Sequence, residues 1–265
     1  MSDDGAARLL AGKRGLVLGV SSREGVGFRT AEALRAQGAD VAVSLRPSAS
    51  RRELFAQLES EGYVSVELDA LDEPSLERCA RSVGERFERI DFIVHGLVHV
   101  PPGALDKPVT ELSSRELSEA MDVGVRSLLA LARYARPWLL RSDSPRVVAL
   151  LSGGADFAMP SYHLVGLVKA ALAAAVRYLA AELGPDKILC NAVNFSMLET
   201  DAARRVVGPE RTRQTRQHLA KRSMTRTPLE YADVTSAIAF LASPLCRNLT
   251  GEALVVDGGF SKSYF

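Results

Sequence analysis

The sequence predicts a doubly wound α/β domain: about seven parallel strands in one sheet, with helices on both faces. Three observations carry that expectation. Short β-branched or leucine-rich runs alternate with stretches whose apolar residues recur every three or four positions. Most of the short runs are apolar on both faces, as strands covered by two helical layers must be. The 265 residues contain no repeat, low-complexity tract or Pro/Ser-rich linker. A single domain over 1–265 is therefore expected, although length alone admits two.

Taken in order, the first strand is read over Gly15–Gly19, where an apolar run ends in glycine. A glycine turn follows, then a helix from about Phe28, with its clearest periodicity over Thr30–Gln37. Strands two and three are the apolar runs Asp40–Leu45 and Val64–Leu68, before a periodic helix over Pro74–Phe87. Phe92–His95 is strand four, and Leu117–Leu140 reads as one long helix. Arg146–Leu151, the helix Leu164–Leu183, Ile188–Val193 and Leu254–Val256 complete the alternation.

Composition narrows the function classes. Thirty-three Lys and Arg against 32 Asp and Glu leave a charge of +1, without the basic excess that a nucleic-acid or membrane-surface protein needs. No apolar run is read as reaching the length of about 18 residues that spans a bilayer. The opening Met1-Ser2-Asp3-Asp4-Gly5 lacks the basic and apolar segments of a signal peptide. Cys79, Cys190 and Cys246 are odd in number and far apart, which fits neither a disulfide framework nor a zinc site and reads as a reducing, cytoplasmic protein. His95 and His99 lack a third ligand nearby, so no metal is expected.

The first turn carries the first chemistry. Gly19-Val-Ser21-Ser-Arg23-Glu-Gly25-Val26-Gly27 joins a strand to a helix. Glycines there let the backbone turn sharply and approach a pyrophosphate, which rests on the free N–H groups of the helix start. The spacing, G-x5-G-x-G, differs from the common G-x-G-x-x-G, and a tight turn without a ligand is the plainer reading. Its place in the first βαβ unit favours a dinucleotide. Strand two ends at Arg46, with Arg51 and Arg52 shortly after and no acid at its tip. An acid would bind the adenosine ribose diol, whereas arginine suits a 2′-phosphate. Arg23 points the same way, so NADP(H) is favoured and NAD(H) stays open.

With these residues in place, the chain resembles the short-chain dehydrogenase/reductase superfamily over nearly its whole length, which implies a Rossmann fold. Leu68-Asp69-Ala70 resembles the segment after strand three that contacts adenine, and Val255-Val-Asp-Gly-Gly259 the last strand and turn. Tyr162-His-Leu-Val-Gly-Leu-Val-Lys169-Ala departs from the majority Tyr-x-x-x-Lys, because Val165 occupies the usual tyrosine position. The Tyr-x6-Lys spacing, the longer glycine turn and His95-Gly96 are similar to the enoyl-acyl-carrier-protein reductase branch.

Seven residues on a helix are about two turns, so Tyr162 and Lys169 share a face roughly 10 Å apart along the axis. Moving the phenol one turn further than usual makes room for a conjugated thioester. The resemblance implies that Lys169 binds the nicotinamide ribose and that Tyr162 hydrogen-bonds the thioester carbonyl. It also implies cofactor contacts from Gly19, Ser21, Gly25, Val26, Gly27, Asp69, Ala70, His95, Gly96, Leu198 and Thr200.

Three departures bear on the site. Ser152 stands ten before Tyr162, where many enoyl reductases carry a second tyrosine, and thirteen before Val165, where the majority superfamily carries a catalytic serine. It is a candidate catalytic donor or a plain strand end. Ser196 and Met197 replace the Gly-Pro pair usual after strand six, so Phe195 and Met197 make a bulkier pocket wall. Gly124 replaces the asparagine that anchors a proton-relay water in carbonyl reducers.

Residues 201–228 are expected to form a helical, substrate-covering insertion. Its many arginines could steer an acyl carrier protein or coenzyme A phosphates, or could equally be a solvated helix face. Family analogy implies a homotetramer through the helices near Leu117–Leu140 and Leu164–Leu183. The expected function is NAD(P)H-dependent reduction of the C=C bond of an enoyl thioester or related enone. A carbonyl reductase, or a non-redox cofactor-binding scaffold, are the alternatives.

Overall fold

The computed structural model describes residues 8–48 and 51–263, without the side chain of Val206. The rest of the span 1–265 expected as one domain, including the opening Met1–Gly5, lies outside the described residues. Seven parallel strands form one sheet in the order β3-β2-β1-β4-β5-β6-β7. They are β1 (Arg14–Leu18), β2 (Asp40–Leu45), β3 (Val64–Glu67), β4 (Phe92–His95), β5 (Arg146–Ser152), β6 (Leu189–Phe195) and β7 (Ala253–Val256). The order reverses between β1 and β4, where Leu18 pairs with His95. Crevices in such sheets open at the carboxyl ends of the strands, at that reversal.

Alternation along each strand feeds two cores. On β1, Leu16 and Leu18 face one helical layer and Val17 faces the other. The first layer holds α3 (Glu73–Phe87), α5 (Ser127–Leu139) and α6 (His163–Leu183), through Leu76, Leu128 and Leu172. The second holds α1 (Val26–Ala36), α2 (Arg52–Ser60) and α9 (Tyr231–Ala242), through Leu34, Leu58 and Ile238. Burial on both faces is what made the inner strands β1, β4 and β5 so apolar.

Three expectations are corrected. Helix α1 starts at Val26, earlier than Phe28, because Gly25 supplies its extended N-cap. The single helix over Leu117–Leu140 is two, α4 (Ser114–Met121) and α5, joined by a π turn at Asp122–Arg126. Ser113 and Glu116 start α4 with a reciprocal capping box. At the π turn, a Cβ on Gly124 would stand 2.2 Å from Val168 Cγ1, so the glycine allows the turn to pass close against α6. Finally, α6 with the turn after it is long and apolar enough to cross a membrane by length and composition. It packs on the sheet instead, with Leu164, Val168 and Leu172 buried.

Candidate active site

The carboxyl ends of the strands open into a cavity of about 1280 Å³. Its floor is the glycine turn. Gly19 holds φ at +89°, and a Cβ there would stand 2.7 Å from the Gly96 carbonyl oxygen. A Cβ on Gly27 would stand 2.8 Å from the Gly19 carbonyl oxygen. Only glycine permits that approach, and it leaves Gly19, Ser21, Gly25, Val26, Gly27 and Gly96 lining the cavity. The N-terminus of α1 has no side-chain cap, so its amides are available to an anion.

Further along the same wall lie Asp69 and Ala70 after β3, and Arg46 after β2. Arg51 and, from α7 (Asp201–Val207), Arg205 line it too. Burial depresses the Arg51 pKa below the usual guanidinium value, and the charges of Arg46 and Arg205 add to that. These three cations thus converge on one end of the cavity, and none forms an ion pair among the described residues.

Two expected cofactor residues point elsewhere. Arg23 does not line the cavity. Its guanidinium pairs with Glu61 and lies 5.0 Å from the Phe28 ring centroid. His95 is fully buried and does not line the cavity, and its Nε2 is 2.8 Å from Ser127 Oγ. Burial first, and then the Lys169 charge, push its pKa down to about 3, so it is a neutral core histidine.

The chemistry-bearing groups meet at the other end. Tyr162 is the N-cap residue of α6, and its Oη lies 3.1 Å from Ser152 Oγ at the end of β5. The ring rests on Gly154, where a Cβ would be 2.7 Å from two ring carbons. Burial raises the phenol pKa, and the Ser152 hydrogen bond works against that rise. Two turns along α6, Lys169 Nζ donates to the Leu150 carbonyl at 2.7 Å. It is 7% exposed, and burial lowers its pKa to about 8. All three residues line the cavity.

Phe195, Met197, Leu198 and Thr200 form a side wall without closing it. Thr200 Oγ1 also caps α7, accepting from the Ala203 amide at 2.9 Å. Sequence reasoning missed the hydrogen bond of 2.7 Å from Asn194 Nδ2 to Asp156 Oδ2, which ties the loop after β5 to β6 inside the cavity. The signal was two polar residues in otherwise apolar segments.

The roof is α7 with α8 (Pro209–Arg222). Several of its cations are committed to protein partners. Arg204 meets Glu24, Asp201 and Glu199; Arg213 meets Glu210 at 3.3 Å; Arg216 meets Glu230 at 2.5 Å. Arg213 and Arg216 thus each have a carboxylate partner.

A dinucleotide-type glycine turn at the sheet's reversal point, with serine, tyrosine and lysine converging above it, defines a short-chain dehydrogenase/reductase. The family model described as Enoyl-(Acyl carrier protein) reductase matches residues 19–261. The chain is 32% identical over 258 residues to the enoyl-[acyl-carrier-protein] reductase [NADH] of Haemophilus influenzae, covering 95% of each. It is 31% identical over 256 residues to that of Escherichia coli, again covering 95% of both. The crystal structure of the Aquifex aeolicus enoyl-[acyl-carrier-protein] reductase (NADH) superposes with a TM-score of 0.89, at 27% identity, covering 97% of this chain and 99% of that one. The chain belongs to the enoyl-(acyl carrier protein) reductase family.

Proposed function

We propose that this chain reduces the C=C bond of an α,β-unsaturated acyl thioester, with the nicotinamide cofactor lying along the cavity. The contact of 3.1 Å between Ser152 Oγ and Tyr162 Oη, in the cavity that Lys169 also lines, carries the reading. The residues suit a dinucleotide: Gly19, Gly27 and Gly96 pack too closely to admit a Cβ, and the uncapped α1 amides would face a pyrophosphate. Lys169 spends one N–H on Leu150 and has two more for ribose hydroxyls. Leu198 and Thr200 would hold the carboxamide side. When bound, the reduced nicotinamide supplies a hydride.

The chain's own part is to hold the acyl group and stabilise the charge that builds on its oxygen. If Ser152 donates to Tyr162 Oη, the phenolic proton is free to point at the thioester carbonyl. A donor fixed before reaction stabilises an enolate oxygen more than the ground-state carbonyl. The raised phenol pKa keeps that proton on Tyr162 until the carbanion claims one. A ketone would meet the same pair, so the product decides. Consumption of reduced cofactor with crotonyl thioester is expected to yield the saturated thioester, and an alcohol would overturn the assignment.

We infer that NADP(H) is the preferred form, on the convergence of Arg46, Arg51 and Arg205. The Haemophilus and Escherichia relatives are named for NADH, so this chain would differ from them. NADPH is expected to exceed NADH in kcat/KM by at least about tenfold, the worth of one charge-assisted hydrogen bond. Arg46→Gln with Arg51→Gln is expected to erase the difference. Equal use of both cofactors by the unaltered chain would refute it.

We also infer a homotetramer working in the cytoplasm, where the three buried, unpaired cysteines are at home. Leu129 on α5, Leu167 and Tyr178 on α6, and Leu254 and Val255 on the edge strand β7 are exposed apolar residues, suited to twofold contacts between copies. Sedimentation velocity is expected to return a tetramer, and a clean monomer would exclude it.

A further inference from the structure

The roof helix presents an unusual face to the cavity. Arg211, Gln214, Thr215, His218, Leu219 and Arg222 line it, and at 100° per residue they fall within an arc of about 140°. All but Leu219 are polar or charged. The facing walls, with Phe157, Met159, Phe195, Met197 and Phe260, are apolar. This part of the cavity is therefore amphipathic, with cations on the roof in addition to Arg46, Arg51 and Lys169 elsewhere.

These inward cations differ from their neighbours. Arg204, Arg213 and Arg216 are neutralised by protein carboxylates, whereas Arg211 and Arg222 form no ion pair among the described residues. The cavity's own acids are already engaged. Asp257 accepts from the Gly259 and Ser261 amides, Asp156 from Asn194, and Asp69 from the Leu71 amide.

The last turns of α8 add a second observation. His218 and Arg222 are one turn apart on the same face. The segment beyond β7 folds against them, Ser263 Oγ donating to the Arg222 carbonyl at 3.1 Å. That segment carries Ser261, whose hydroxyl oxygen is shielded from solvent, has no hydrogen-bond partner among the described residues, and belongs to a residue lining the cavity. Beside it, Phe260 meets Phe157 edge-to-face, ring centroids 6.5 Å apart. Phe157 follows Ser152 closely, so this corner adjoins the Tyr162 end of the cavity. A hydrocarbon tail entering here would desolvate a guanidinium without compensation and leave the shielded hydroxyl unpaired.

We propose that Arg222, His218 and Ser261 form a subsite for an oxyanion borne by the acyl group itself, so that the favoured substrates are enoyl thioesters of dicarboxylic acids. The proposal rests on the thioester-reductase reading for where the acyl group lies. Arg222 and the Ser261 hydroxyl supply the donors, His218 adds a third, and the Phe157–Phe260 pair packs the methylenes leading to them. A phosphate on the thioester handle offers the same oxyanion chemistry, and the test separates the two sources.

Binding of two saturated, unreactive thioesters to the cofactor-loaded chain is measured by calorimetry. Hexanoyl and adipoyl groups share a chain length and differ in a terminal methyl or carboxylate. Each is presented on coenzyme A and on phosphate-free N-acetylcysteamine. Adipoyl is expected to bind at least tenfold tighter than hexanoyl on both handles. Arg222→Gln and Ser261→Ala are each expected to narrow that ratio, Arg222→Gln to within twofold, while the ion-paired Arg213→Gln preserves it. Hexanoyl binding as tightly as adipoyl overturns the proposal. So does a preference for coenzyme A that is indifferent to the tail, since the cations would then read the handle. Turnover of the matching enoyl thioesters is scored separately, and its absence beside an intact tail preference refutes the reductase reading alone.

Discussion

Tyr162→Phe is expected to lower kcat/KM on an enoyl thioester by about a hundred- to a thousandfold, the cost of one preorganised oxyanion donor. The substitution removes a single oxygen and keeps the ring that rests on Gly154, so the helix start should survive. Cofactor affinity, measured by fluorescence titration, is expected to stay within twofold, because the phenol acts on the substrate. Ser152→Ala is expected to cost less, about tenfold, since it only frees the phenol to rotate away from its partner at 3.1 Å. If Tyr162→Phe left turnover intact, the donor would have to be sought elsewhere in the cavity. A parallel loss of cofactor binding would instead mean that the ring supports the nicotinamide pocket.

Lys169→Met is expected to cripple the enzyme and stabilise the fold. Burial holds the native pKa near 8, below the ordinary 10.5, so the folded state disfavours the charged form. The unfolded chain then binds more protons between those values, and stability rises with pH across that window. Below about pH 8 the whole penalty is present, roughly 3 kcal/mol at about 1.4 kcal/mol per tenfold. Methionine fills similar space without charge and forgoes the hydrogen bond to Leu150, leaving a net gain of about 1–2 kcal/mol. For a domain of this size that is a rise in Tm of about 2–8 °C at neutral pH. The difference between the two melting curves is expected to shrink as pH climbs toward 10.5, which cancels every other titrating group. Cofactor binding is expected to weaken about ten- to a hundredfold. A variant melting below the parent at pH 7 would show that Lys169 holds the fold together.

The sequence was most legible where pattern and packing coincide. Strands β2 and β4 have the bounds that their apolar runs predict, since a strand buried on both faces ends where polarity begins. Helices α2 and α9 left no comparable trace. The first buries only Leu58, and the second is so apolar that no period stands out. Tyr162, Lys169 and Ser152 could be brought together on paper because one helix and one strand end position them. His95 could not, for its side chain turns into the core while Gly96, just past the strand end, lines the cavity. Arg23 reaches Glu61, 38 residues away, a partner that no local motif announces. The pairing of the roof arginines was legible only where it is local, as for Arg213 with Glu210; Arg216 depends on Glu230, which lies outside the roof.

The contact between Gly124 and Val168 limits how this chain can change over time. Val168 immediately precedes Lys169 on α6, so the fit at position 124 bears on the helix that carries the ammonium. Restoring the asparagine common among carbonyl-reducing cousins would drive a Cβ to 2.2 Å from Val168, and the disturbance would reach the neighbouring lysine. That exchange therefore requires Val168 to turn or to shrink, which ties the residue at 124 to the helix that carries Lys169.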